Sequence, residues 1–139
     1  PWLRIDDPQG LGFRLRAAAF VPMALCAAIC AQRHSGHIAV TAFVDDLKFE
    51  KPVRVGEVVR LHAQVLATFN TSMEIGVVVG GEDSCTGRRW PCVSAWLTFV
   101  AIDDSRNPTP VPRLVMDSDE VRASQLDGER RRAARLAKR

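Results

Sequence analysis

VPMALCAAICA, residues 21–31, has no charged side chain; it follows the arginine-bearing FRLRAAAF and precedes the polar QRHSG. The uncharged stretch from Ala17 to Gln32 is shorter than the roughly 20 residues a bilayer core requires. Arg14 and Arg16 before a run of small residues favour a signal peptide. Against that, the run begins well inside the chain and no lipoprotein-type small residue precedes Cys30. A buried helix is the remaining expectation. Pro22 fits its first turn, where a missing N–H costs nothing, and Ser35-Gly36 fits its end. A helix of about 13 residues would be roughly 20 Å long.

The chain downstream supplies the surface to bury it. HIAVTAFVDDL, residues 37–47, is rich in β-branched residues and reads as a strand, ended by the loop KFEKPVRVGE. EVVRLHAQVLAT, residues 57–68, alternates, with Val59, Leu61, Ala63 and Val65 on one face and Arg60, His62 and Gln64 on the other. After FNT, residues 72–80 place Met73, Ile75, Val77 and Val79 together. GGEDSCTGRR makes a hairpin tip. The strand from Trp90 to Ile102 then lines up Val93, Ala95, Leu97, Phe99 and Ala101. One apolar helix and four antiparallel strands predict an α+β fold in which a curled sheet wraps a central helix. The opposite face also carries Val78, Trp96 and Val100, which points to subunit contacts.

At 139 residues the chain fits one domain, and 47% hydrophobic with 25% charged residues is ordinary for a globular protein. The net charge of +3 is unevenly placed: ERRRAARLAKR, residues 129–139, holds six basic side chains and one acid. The rest of the chain is slightly acidic. The tail reads as a solvated helix, with Ser118, Asp119 and Glu120 at its start, arginines at its end and Gly128 weakening its middle. No aromatic residues interleave with its charges, which argues against nucleic acid.

Cys26, Cys30, Cys85 and Cys92 are too few and scattered for a secreted disulfide framework, so reduced thiols in a cytoplasm are expected. Cys26, Cys30 and His34 share a helix face, but eight residues of helix rise about 12 Å, too far for three ligands of one zinc. No metal is expected. His34, Ser35 and Asp45 form a triad only on paper, since no nucleophile-elbow sequence accompanies them, and Ser35 reads as a helix-end residue. His37 begins a strand and His62 lies on a polar strand face. Gly80-Gly81 lacks the lysine and helix of a phosphate loop.

The segment ICAQRHSGHIAVTAFVDDLKFEKPVRVGEVVRLHAQVLATFNTSMEIGVVV, with Asp45, Phe49, Pro52-Val53, Gly56-Glu57 and Thr71-Ser72-Met73, resembles the hot-dog-fold acyl-CoA thioesterases. The closing NPTPVPRL and the Arg/Ala-rich helix belong to the same likeness, which covers about residues 23–139. It implies a hot-dog domain over residues 1–114, the first 22 matching poorly, and a charged tail over 115–139. It also implies hydrolysis of acyl-CoA by water, with coenzyme A as part of the substrate and no cofactor. Homodimers assembling to a hexamer, and no membrane or nucleic-acid partner, are further implications.

Such chemistry needs a carboxylate acting as base or nucleophile, and backbone N–H groups at a helix start to stabilise the oxyanion. The family supplies an Asp-x-Asn-x-x-Gly segment, a Gly-Gly pair and a helix aspartate. Here Asp7, Gln9 and Gly12 stand at the Asp, Asn and Gly positions, Arg16-Ala17 near the glycine pair, and Ala24 at the aspartate. Gln9 can imitate the amide; Ala24 cannot imitate a carboxylate. Three explanations stay open: a paralogue that binds acyl-CoA without efficient hydrolysis, use of another acid such as Asp45 or Asp46, or a reading error across residues 13–24. Thr71 and Ser72 read equally as hydroxyls near the thioester or pantetheine and as a turn and strand start. Arg113, or arginines of the tail, suit the CoA phosphates.

Overall fold

The computed structural model describes residues 11–51, 53–54 and 56–138, with the side chains of its first helix described from Pro22 onward. Helix α1 spans Leu11–Ser35, 25 residues, so it starts earlier than expected. Pro22 stands inside it, not in its first turn. An interior proline leaves the carbonyl four residues back without its helical partner. The Leu, Arg and Ala residues ahead of it are strong helix formers, which carries the helix through. At the other end the Gly36 N–H donates to the Gln32 carbonyl at 2.8 Å, and Gly36 adopts a φ of 72° that favours glycine.

Four strands follow: β1 (Ile38–Phe49), β2 (Val58–Thr68), β3 (Ser72–Glu82) and β4 (Arg89–Ile102). They form one antiparallel sheet in the order β1-β4-β3-β2, with β1 and β2 at the edges. β3 and β4 pair out to Glu82 and Arg89, which shortens the hairpin tip to residues 83–88. The helix lies across one face of the sheet. Met23, Ala27 and Ala31, four residues apart, are fully buried against Met73, Ile75, Val77, Val79, Leu97 and Phe99. The alanines let helix and sheet approach closely. This is the α+β hot-dog arrangement expected. On edge strand β2 the expected apolar face is only half used, because Val59 and Leu61 are exposed while Ala63 and Val65 pack on the core.

Two bulges, not foreseen from the alternation, set what the sheet shows on its outer face. In β1 the register shifts between Thr41 and Phe43. Thr41 is opposite the buried Phe99 and so faces α1, whereas Phe43 is opposite Thr98 and faces away. In β2 a shift between Val65 and Ala67 turns Ala67 outward, opposite Glu74.

That outer face receives the C-terminal helix α2, Asp119–Ala137, capped by the Ser118 hydroxyl, which accepts from the Val121 N–H. The expectation of a solvated tail needs correction. Gln125 brackets Thr68 with two bonds of 2.9 Å, accepting from its N–H and donating to its carbonyl. The Ser124 hydroxyl donates to the Leu66 carbonyl at 2.7 Å. Gly128 is buried against Ala67, where any Cβ would overlap the Ala67 methyl. The glycine permits the contact that the tail reading missed. Trp96 on this face is likewise covered from within the chain, with the Arg131 guanidinium 4.3 Å from its ring centroid.

Candidate active site

Position 24, where the resemblance implies an acid, lies on α1 beside the buried row of Met23 and Ala27, and Ala24 is half-buried. The α1-facing positions of the four strands are Ala, Thr, Val, Leu, Ile, Met and Phe, and α1 itself carries no acid. Because α1 is continuous from Leu11, the backbone N–H groups around Ala24 are engaged in the helix. The helix's unpaired N–H groups lie in its first turn, which contains Gly12. Twelve residues separate Gly12 from Ala24, about 18 Å along the axis. Gln9 and Asp7 lie outside the described residues.

The remaining candidates are spread along the molecule. Thr71 and Ser72 are half-buried at the start of β3, where the Thr71 carbonyl accepts from the Ala101 N–H and the Ser72 carbonyl from the Phe69 N–H. This is the end of the sheet nearest the C-terminus of α1, whose His34 Nε2 is 2.7 Å from the Pro112 carbonyl. Arg113 is exposed in the segment after β4. Ser35 serves as a helix-end residue, its hydroxyl 3.2 Å from the His37 N–H. Burial pushes the Cys30 thiol up, and nearby Cys26 adds to this, so Cys30 stays protonated.

Asp45 and Asp46, the alternative acids, belong to the outer face. Asp45 Oδ2 accepts from Arg135 Nη1 at 2.6 Å. Asp46, with a φ of 49° in the second irregular stretch of β1, is 3.4 Å from Lys48. A buried cluster of charged side chains is also there and escaped sequence reading. Glu74, fully buried, accepts from Arg131 Nε at 2.9 Å and from Arg131 Nη2, and its Oε2 lies 3.7 Å from Arg135 Nη1. A carboxylate inside the apolar SMEIGVVV, opposite an arginine-rich helix, was the available signal.

The thioesterase superfamily pattern matches residues 19–84. An acyl-CoA hydrolase of known structure from Bacillus cereus is 32% identical, over 95% of this chain and 82% of that one, with a TM-score of 0.82. A hexameric acyl-CoA thioesterase solved in its apo form is 28% identical over 99% of this chain and 88% of that one, TM-score 0.83. The acyl-CoA hydrolase of Staphylococcus aureus, solved with butyryl-CoA, CoA and CoA disulfide, is 28% identical over 97% and 87%, TM-score 0.78. That protein has also been solved with an asparagine, an aspartate fifteen residues later, and a threonine seventeen residues beyond that each changed to alanine. The chain spans 13%, 55% and 20% of the length of the first curated relatives it matches.

Proposed function

The chain belongs to the acyl-CoA thioesterase family, and on that premise we propose that it takes acyl-CoA and cleaves it with water to a free acid and CoA, at a rate held down by Ala24. The observation that carries the reading is the helix-on-sheet body shared with acyl-CoA hydrolases along nearly its whole length. In the reaction the oxygen of water bonds to the acyl carbon, the carbon–sulfur bond breaks, and the proton ends on the CoA sulfur. A carboxylate speeds the first step by taking that proton.

The spacing of the three altered residues in the Staphylococcus aureus hydrolase supports assigning Gln9, Ala24 and Thr41 to one set. Thr41 was not singled out in the sequence. Its placement on the α1-facing side of β1 suits a hydroxyl that holds the thioester carbonyl or the attacking water. Gly12 at the start of α1 fits a backbone approach to the ligand, while Thr71, Ser72 and Arg113 keep only their implied roles. With no acid at 24, the loss of a base lowers the rate by a factor of about 100 to 10,000.

A second reading, a non-hydrolytic acyl-CoA-binding or assembly subunit, is favoured by one observation: among the described residues, α1 and the strand positions facing it carry no carboxylate, and the backbone N–H groups around position 24 are engaged in the helix. Assembly as homodimers building a hexamer is supported by the hexameric relative and by apolar side chains exposed on both edge strands, among them Ile38, Phe43 and Val59. We place the protein in the cytoplasm, on its four unpaired cysteines. Among the described residues no helix is long and apolar enough to cross a membrane.

Release of free CoA from a panel of acyl-CoAs, with equilibrium binding beside it, tests this. The native chain should bind acyl-CoA and turn over slowly, and Ala24→Asp should raise kcat by about 100-fold or more with little change in KM. Fast native turnover would refute the weight placed on Ala24. Binding without cleavage that Ala24→Asp converts to cleavage supports the second reading. A native chain that binds no acyl-CoA would refute both.

A further inference from the structure

β1 is an edge strand, hydrogen-bonded to β4 alone among the described strands, and its register shifts twice, between Thr41 and Phe43 and between Asp45 and Lys48. The paired stretch 43–45 between the shifts turns Phe43 and Asp45 outward, opposite Thr98 and Trp96, and Val44 inward, opposite the buried Leu97. One side chain of α2 holds both outward residues. Arg135 Nη1 donates to Asp45 Oδ2 at 2.6 Å, and the Arg135 guanidinium lies 5.4 Å from the centroid of the Phe43 ring. The same Nη1 is 3.7 Å from Oε2 of the fully buried Glu74, an oxygen without a hydrogen bond among the described residues, so β3 anchors the arginine as well.

This grip bears on Thr41. A bulge carries one residue more than its partner strand and bends the chain where it sits. Ala42 is that residue: Thr41 is opposite Phe99, Phe43 is opposite Thr98, and Ala42 between them is unpaired in the register. Without the bulge, residues 42–45 would pair one step along, and Phe43 and Asp45 would turn to the side facing α1. Phe43 would then stand two residues from Thr41 on one face, its ring crowding the hydroxyl. No strand on the free edge of β1 opposes such a slip; Arg135 opposes it from α2.

We propose that Arg135 is a positioning residue for hydrolysis: by holding Phe43 and Asp45 outward, it keeps the bulge at Ala42 and the Thr41 hydroxyl on the α1 side. The proposal rests on the hydrolytic reading for the role of Thr41, but not for the geometry of the strand. Arg135 lies across the sheet from the reacting atoms, so its effect reaches kcat only through Thr41.

Hydrolysis of butyryl-CoA by the Ala24→Asp chain, with and without Arg135→Gln, and again with Thr41→Ala added, tests this. Arg135→Gln should lower kcat by about tenfold or more and change KM by less than about threefold. Arg135→Lys should recover part of the loss, and once Thr41→Ala is present Arg135→Gln should have no further effect. Asp45→Asn, which keeps the side chain's shape, should lower kcat in the same way and carries the test if Arg135→Gln fails to fold. NMR of the variants should show weakened cross-strand contacts from Phe43 to Thr98 and from Asp45 to Trp96. An unchanged kcat, an equal loss with and without Thr41, or cross-strand contacts that stay native would overturn the proposal. A chain that cleaves no acyl-CoA even with Ala24→Asp counts against the hydrolytic reading alone, and the cross-strand contacts then decide whether Arg135 holds the bulge.

Discussion

Gly128→Ala has a sign that depends on whether α2 is docked. On a solvated helix the substitution is favourable, because alanine in a helix interior is better than glycine by about 1 kcal/mol. In the docked helix the new methyl would overlap the Ala67 methyl, well inside the roughly 3.5–4 Å at which carbons touch. Ala67 is fully buried and fixed on both sides by Leu66 and Thr68, which α2 itself holds through Ser124 and Gln125. The helix must therefore back away, at an overpacking cost of about 1–3 kcal/mol. Backing away also stretches the Gln125 bracket, and each buried bond weakened adds about 0.5–1.5 kcal/mol. Against the propensity gain, the net is a loss of about 1–3 kcal/mol. At this chain length each kcal/mol lowers Tm by roughly 2–8 °C. Thermal and urea unfolding of the native chain, Gly128→Ala, Ala67→Gly and the double variant measures it. The double variant should recover stability beyond the sum of the single changes. A Gly128→Ala protein more stable than the native one would refute the docking.

Glu74→Ala should destabilise by about 3–5 kcal/mol in urea unfolding, since it leaves Arg131 and Arg135 without the carboxylate they enclose. At the β3–β4 tip, the carboxylate of Asp83 accepts from the Thr86 and Cys85 N–H groups, which hold its pKa below the ordinary aspartate value. A lowered folded pKa means support for the turn that is full above the unfolded value and lost as pH falls through the folded one. Amide exchange at Cys85 and Thr86 should therefore lose protection selectively below about pH 4, and Asp83→Asn should abolish that pH dependence.

The helix-facing side of β3 and β4 was legible, because a central strand packed on a helix keeps strict alternation: every residue expected to face the helix, from Met73 to Ala101, is buried or nearly so. The edge strands were legible only in their existence. A bulge is one residue of backbone geometry and leaves no periodic mark, so the outward turn of Phe43, Asp45 and Ala67 went unseen. Pro22 misled about the start of α1, since a proline signals a first turn while the helix formers before it were discounted. The docking of α2 was invisible for another reason. Its ion pairs join residues 57 and 90 positions apart, and a charge-rich helix looks the same whether its partners are water or a distant strand. Around the site, Ala24 stood out only through the family resemblance, by counting back from AAICAQRHS to the place of the helix aspartate. The face on which Thr41 lies required the register of β1 against β4.

The sequence separation of those α2 contacts also dictates an order of assembly. A chain made from its N-terminus completes all four strands before α2 exists, and Gln125, Arg131 and Arg135 emerge after the last of them. Until then Glu74 keeps its water, the last residue of β2 lacks its bracket, and the sheet's outer face stands open to other chains. Burial of that carboxylate must await the arginines that neutralise it. The body of the fold is thus finished from outside, by a segment that contributes almost nothing to the core it locks.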